Sequence, residues 1–227
     1  MKQKPCLQKI TALIFILLVT SIFNVYSQIG LTEAFQAAIN KEVTDNMIGI
    51  LIHIESPGKK ISWSGAAGYS DKDKKVIMKP GQSFRIASVT KTYVASTILR
   101  LWEDKKLALE DPISRYISSE HSEILTRGGY DVNKITIRHL LTHSSGLFDH
   151  AQTEEFMNKI FSEPGHVWTR TEQIQKDTEW GKPVGEIGER FSYADTGYIL
   201  LGEIIEKMTG KKMNDAIRGE LALKKMG

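Results

Sequence analysis

Cysteine is almost missing from this chain: of 227 residues only Cys6 is one, and it lies ahead of an apolar run near the start. Everything downstream is therefore without a disulfide, a thiol nucleophile or a thiolate metal site. An excess of one charge sign is also lacking. The formal net charge of +3 is accounted for by Lys2, Lys4 and Lys9, which have no acidic neighbour. Beyond them the chain is neutral and gives no basic footprint for nucleic acid or for an anionic membrane. There are no internal repeats and no low-complexity tracts. The apolar stretch "ITALIFILLVTSIF", from Ile10 to Phe23, is too short for a comfortable membrane span. With the lysines before it and Val25 and Ser27 after it, residues 1–27 read as a secretory signal peptide cut between Ser27 and Gln28. An uncleaved N-terminal anchor is the alternative. The expected organisation is then one domain over 28–227, secreted or periplasmic in a bacterial envelope, with no stable membrane span after cleavage.

At 41% hydrophobic and 25% charged, the remaining chain has the composition of an ordinary globular domain with a sizeable core. Residues 31–43 place Leu31, Phe35, Ala38 and Ile39 at helical spacing, with Thr32 as a cap. "MIGILIHI" and "ISWSGAAGY", joined by "ESPGKK", predict a β-hairpin. Val94, Ile98, Leu101 and Trp102 mark a helix over 90–103. "LALEDPISRYI" reads as a loop with a short helix. "ITIRHLLTHSSGL" predicts a short helix capped by Thr136 and stopped by Gly146. From Phe148 to Pro183 no pattern dominates. A strong helix follows, with Tyr198, Leu201, Ile205 and Met208 on one face and Gly210 as its stop.

Two short motifs carry candidate chemistry. Ser88 and Lys91, in "SFRIASVTKTYVAS", stand three residues apart where an apolar helix begins. A serine there can be activated by a base one helical turn away, with the helix dipole favouring developing negative charge. For Lys91 to be that base, burial or neighbouring positive charge must lower its pKa. The spacing alone also fits a polar patch at a helix start. A second copy, Ser56–Lys59, lies in a Pro-Gly turn and reads as inert. In "FSYADTGY", Tyr193 offers a phenol to share or relay a serine proton. Asp195 either hydrogen-bonds the lysine or simply caps the helix, and taken alone capping is the better reading. Here too an inert copy exists, Tyr69–Asp71, in a lysine-rich loop.

In their order, "PGQSFRIASVTKTYVAS", "ITIRHLLTHSSGL" and "GERFSYADTGYILLGEIIEKMTG" strongly resemble the class C β-lactamase-like serine hydrolases, a family of β-lactamases, D-alanyl-D-alanine carboxypeptidases, D-aminopeptidases and esterases. The resemblance implies an α/β fold, with an antiparallel sheet flanked by helices and a mostly helical subdomain. By position it implies Ser88 as acylated nucleophile, Lys91 as its lysine and Tyr193 as the tyrosine that takes the serine proton. Asp195 stands where asparagine is commoner in the family, and as an acid it cannot donate an amide hydrogen bond to substrate. The family's Lys-Thr-Gly-type strand has no counterpart, which leads us to expect a domain truncated at its C-terminus and of doubtful activity alone.

The resemblance implies no metal and no organic cofactor. His139 and His143 are spaced as a helical metal pair, with His150 and His166 downstream, yet no Glu stands beside them in a metalloprotease pattern. Trp63, Trp102, Trp168 and Trp180 read as core or cleft-wall packing. The expected partner is a small-molecule or peptide substrate: a β-lactam, a D-Ala-D-Ala-type peptide, or a related amide or ester. The alternative is a non-catalytic envelope protein that binds peptidoglycan or β-lactams as a sensor.

Overall fold

The structure, a computed structural model, describes residues 30–225. The signal-peptide reading of residues 1–27 lies outside the described residues. The chain divides into two compact units, one ending at Arg85 and one starting at Ile86.

In the first unit helix α1 covers residues 30–42, so Thr32 lies within the helix rather than capping it. Strands β1 (Gly49–Ser56) and β2 (Ile61–Gly68) pair antiparallel in the register Gly49 with Gly68 and Ser56 with Ile61. The turn between them, Pro57–Lys59, closes through the Lys60 N–H to Pro57 carbonyl bond at 3.0 Å. Phe35 of α1 packs its ring 5.3 Å from that of Trp63, and the Gln36 amide donates to the Ala66 carbonyl at 2.9 Å. These contacts seat α1 on the hairpin. Beyond β2, Asp71 accepts from the backbone N–H groups of Lys75 and Val76. The Tyr69–Asp71 copy is thus a loop brace, and Ser56–Lys59 is spent on the end of a strand and its turn.

The second unit is helical. Helix α2 spans Thr90–Glu103 and buries Val94, Thr97, Ile98 and Leu101, the 3–4 spacing of a single apolar face. Trp102, expected on that face, is instead 46% exposed, because it falls on the next position round the helix. There follow α3 (Ser119–Arg127), α4 (Ile137–Leu141), α5 (Glu154–Ser162), α6 (Arg170–Trp180), α7 (Asp195–Thr209) and α8 (Met213–Glu220). The core is aliphatic: Ile98, Leu101, Ile113, Leu125, Ile137, Leu140, Ile174, Leu200, Leu201 and Ile204 are all fully buried. Helix α7 buries the widest face and ends at Gly210 in the left-handed conformation, as its sequence predicts. Gly197 faces α4, where an added Cβ would meet the Leu140 backbone at ordinary contact distance.

The short helix α4 corrects one expectation. It begins as predicted, with Thr136 and His139 forming a reciprocal capping box. It ends at Leu141, five residues before Gly146, because His143 takes the left-handed position at φ 52°. The His143 N–H bonds to the Leu140 carbonyl and the Ser144 N–H to the His139 carbonyl. That pair of bonds is the Schellman closure, here made without glycine. Gly146, at φ 74°, forms the turn after it.

Candidate active site

Ser88 lies in a single 3-10 turn, Ala87–Val89, that runs directly into α2. The residue before it, Ala87, holds a left-handed φ of 46°, a conformation an alanine adopts only under constraint from its surroundings. That kink leaves Ser88 exposed at the head of the helix. Lys91, one turn on, brings Nζ to 3.3 Å from Ser88 Oγ. From the stretch ahead of α7, the Tyr193 hydroxyl reaches Ser88 Oγ at 2.9 Å. Residues over a hundred positions apart in sequence therefore meet on one oxygen.

Asp195 does not cap α7. It is the first residue of that helix, the cap position is Ala194 with no side-chain bond, and the Asp195 carboxylate instead meets Lys91 Nζ at 2.5 Å. This ion pair is partly sheltered, with the lysine side chain 17% exposed. It also bears on the condition for a basic Lys91, a lowered pKa. Burial, the largest influence, does pull Lys91 down, but the hydrogen bonds and charges of Asp195 and Tyr193 together outweigh it and hold Lys91 above its ordinary 10.5. Lys91 is thus paired with the Asp195 carboxylate beside the serine.

Two residues position this group: Asp149, which local sequence reading did not pick out, and His143, weighed there only as a metal ligand. The His143 ring stacks on that of Tyr193 with centroids 4.4 Å apart, and its Nδ1 accepts the Ala194 N–H at 3.2 Å. Burial, then the Lys91 charge, hold His143 below the usual histidine value, so the ring stays neutral and able to accept. Asp149 takes the Asp195 N–H on Oδ1 at 3.2 Å, supplying from a distant turn the acceptor that Ala194 lacks. Backbone bonds add a ladder: Val184 to Gly146, Gly188 to Ser144 and Ser192 to His143, the last at 2.7 Å. Tyr193 is thus fixed from both sides of its own chain segment. The histidines weighed as metal ligands have other work. His139 closes the α4 cap, His143 supports Tyr193, His150 bonds Asp177, and His166 meets Glu172 at 2.9 Å.

Beside Ser88 opens a cavity of about 500 Å³ running along the groove between α2 and α7. Ser88, Lys91 and Val94 line it from α2, Asp195, Tyr198 and Ile199 from α7, and Arg170 and Gln173 from α6.

Ser88 at a helix start, Lys91 one turn on and Tyr193 from the stretch ahead of α7 form one cluster, and the comparisons place the chain in a family. The chain belongs to the Beta-lactamase family, whose profile matches residues 35–226. It is 32% identical over 150 residues to "Protein flp" of Staphylococcus aureus, which covers 66% of this chain and 28% of that protein. It is 29% identical over 173 residues to penicillin-binding protein 4* of Bacillus subtilis, covering 75% of this chain and 35% of the relative. Among solved structures, a D-stereospecific amidohydrolase from Streptomyces sp. matches with TM-score 0.67 at 25% identity, over 83% of this chain and 52% of that one. A D-amino acid amidase from Ochrobactrum anthropi matches with TM-score 0.66 at 27% identity, over 84% of this chain and 49% of that one. This chain therefore spans 28% to 52% of the length of these relatives. The fold is that of the β-lactamase and penicillin-binding group, as the sequence motifs imply.

Proposed function

We propose that this is a serine hydrolase that works through an acyl-enzyme on Ser88, with Tyr193 moving the proton, Lys91 as a fixed cation and Asp195 as its holder. The observation that carries the reading is the convergence of Tyr193 at 2.9 Å and Lys91 at 3.3 Å on one exposed serine oxygen. As Ser88 Oγ attacks a substrate carbonyl carbon, its proton passes to Tyr193 Oη while Tyr193 gives its own proton to the leaving nitrogen or oxygen. Carbonyl π electrons move to oxygen, and the tetrahedral adduct collapses with loss of the leaving group. Lys91 stabilises negative charge that develops on the serine oxygen as the proton departs. In the second half a water attacks the acyl carbon, its proton passes through Tyr193, and Ser88 leaves protonated.

The substrates that fit are cyclic or acyclic amides and esters: β-lactams, D-Ala-D-Ala-type peptides, D-amino-acid amides or short esters. The named activities of the amidase and penicillin-binding relatives support this range. The reading includes export, from the pattern of residues 1–27, to the periplasm or outside the cell. The test is intact-mass spectrometry of the protein after incubation with a fluorescent penicillin, with Ser88→Ala alongside. The expected result is a single covalent addition that the variant loses. No addition to the wild type, or equal addition to Ser88→Ala, overturns the nucleophile assignment for this substrate class. A persistent adduct without turnover would replace the hydrolase by a binding protein that acylates and stalls.

A further inference from the structure

Asp177 on α6 and His150, in the turn ahead of α5, both have side chains with 0% exposure. His150 Nδ1 lies 2.9 Å from Asp177 Oδ1, and the His150 backbone N–H donates to the same oxygen at 3.2 Å. Thr196, the second residue of α7, brings its hydroxyl to 3.1 Å from His150 Nδ1. Among the described residues, neither His150 Nε2 nor Asp177 Oδ2 finds a hydrogen-bond partner. Burying a carboxylate with two polar atoms unmatched is costly, and apolar side chains of similar volume would hold three segments together at least as firmly. What such a cluster adds over apolar packing is direction, because each hydrogen bond fixes an angle as well as a distance.

The direction it fixes leads to Ser88. His150 follows Asp149, whose carboxylate takes the Asp195 N–H, and Thr196 follows Asp195. Through His150, helix α6 thus reaches both the acceptor side and the donor side of the bond from the Asp195 N–H to the Asp149 carboxylate. Asp195 in turn holds Lys91, and Tyr193 lies two residues ahead of it. We propose that Asp177, His150 and Thr196 are positioning residues that set the first turn of α7, and with it Asp195 and Tyr193, against Lys91 and Ser88. This rests on the reading of Ser88 as nucleophile. The cluster touches no reacting atom, so its effect falls on the rate of acylation and not on initial binding.

The test compares Thr196→Val, which removes only the hydroxyl, with Thr196→Ser, which keeps it, and adds Asp177→Asn. Acylation by the fluorescent penicillin is followed with its rate constant and binding constant separated, and exchange of the Asp195 amide is measured in the same proteins. Thr196→Val is expected to slow acylation about tenfold, and Asp177→Asn up to about a hundredfold, the scale of small misplacements in a reacting site. Binding is unchanged, Asp195 exchange speeds up, and Thr196→Ser restores both rate and protection. A wild-type rate in Thr196→Val, a rate loss without faster Asp195 exchange, or failure of Thr196→Ser to restore it overturns the proposal. If Asp177→Asn does not fold, the Thr196 pair decides alone. If the wild type takes no penicillin, the Ser88 reading falls, while the Asp195 exchange comparison still decides the positioning claim.

Discussion

At Lys91 a single substitution separates a cationic role from a basic one. Because Asp195 and Tyr193 raise Lys91 against the pull of burial, the ion pair contributes its stability fully below the unfolded value of 10.5 and loses it as pH rises through the folded value. Asp195→Asn leaves burial less opposed, so the pKa of Lys91 falls. The expected result is an alkaline limb of the acylation rate that shifts to lower pH, with a loss of about tenfold at neutral pH, the worth of one charge-assisted hydrogen bond. Stopped-flow acylation across pH checks it, and an unmoved limb would remove Lys91 as a required cation. His143 titrates in the opposite sense. Its folded value lies below the ordinary 6.5, so the unfolded chain binds a proton first and stability falls as pH drops below 6.5. His143→Asn tolerates the left-handed backbone but loses the stack on Tyr193. Denaturant unfolding at pH 5 and pH 7.5 is expected to show a loss of about 2 kcal/mol at neutral pH and a narrower gap between the two conditions. Ser88, Lys91 and Tyr193 were legible in sequence because each sits in a short pattern with a recognisable neighbourhood. The supporting roles of His143 and Asp149 were not, since both act by accepting backbone N–H groups, of Ala194 and Asp195, and a backbone donor leaves no mark on the residue type opposite it.

Among the elements, legibility follows the apolar period. Helices α2 and α7 bury long aliphatic faces, and their limits matched the expected ones at Thr90, Glu103 and Gly210. Helix α6, "RTEQIQKDTEW", buries only Ile174 and Asp177, so no 3.6-residue apolar stripe announces it. Helices α3 and α5 are only nine residues each, too short for their apolar positions to stand out. The turn after α4 was misjudged because Gly146 is the expected left-handed residue, yet His143 takes that position first and Gly146 serves a later bend. Gly146 has its own necessity. A Cβ there would stand 2.5 Å from the Gly185 carbonyl oxygen, on a backbone already at φ 74°. Gly146→Ala is therefore expected to cost about 3 kcal/mol, from left-handed strain plus backbone overlap. It should also loosen the ladder that ends at Ser192 and so disturb Tyr193. Thermal unfolding and penicillin acylation in the same variant check both effects, and a Tm within a degree of wild type would refute the overlap.

For the whole molecule, burial is unevenly shared. Strand β1 has no buried residue, and the hairpin is a sheet of two strands among the described residues. Two strands are marginal by themselves in water. The second unit instead holds a continuous aliphatic core from Ile98 to Ile204. Amides in the middle of β1 and β2 are expected to exchange at least about a hundredfold faster than those of Ile98 and Leu201, because opening the hairpin exposes little apolar surface. Equal protection in native-state exchange would show a single cooperative block instead. The hairpin, like the three motif blocks, was readable from sequence, while the packing of seven helices from Thr90 onward was not, since it depends on pairings between faces that composition does not order.

The hairpin tip also lends itself to chemistry of the experimenter's choosing. Gly58 sits in the Pro57–Lys59 turn, where an added side chain would meet open space, and no cysteine occurs after residue 6. With Cys6→Ser, a Gly58→Cys change gives one exposed thiol for a maleimide dye or a surface tether. Every group gathered around Ser88 belongs to the other unit, so single molecules could be immobilised through one unit and watched as they acylate in the other.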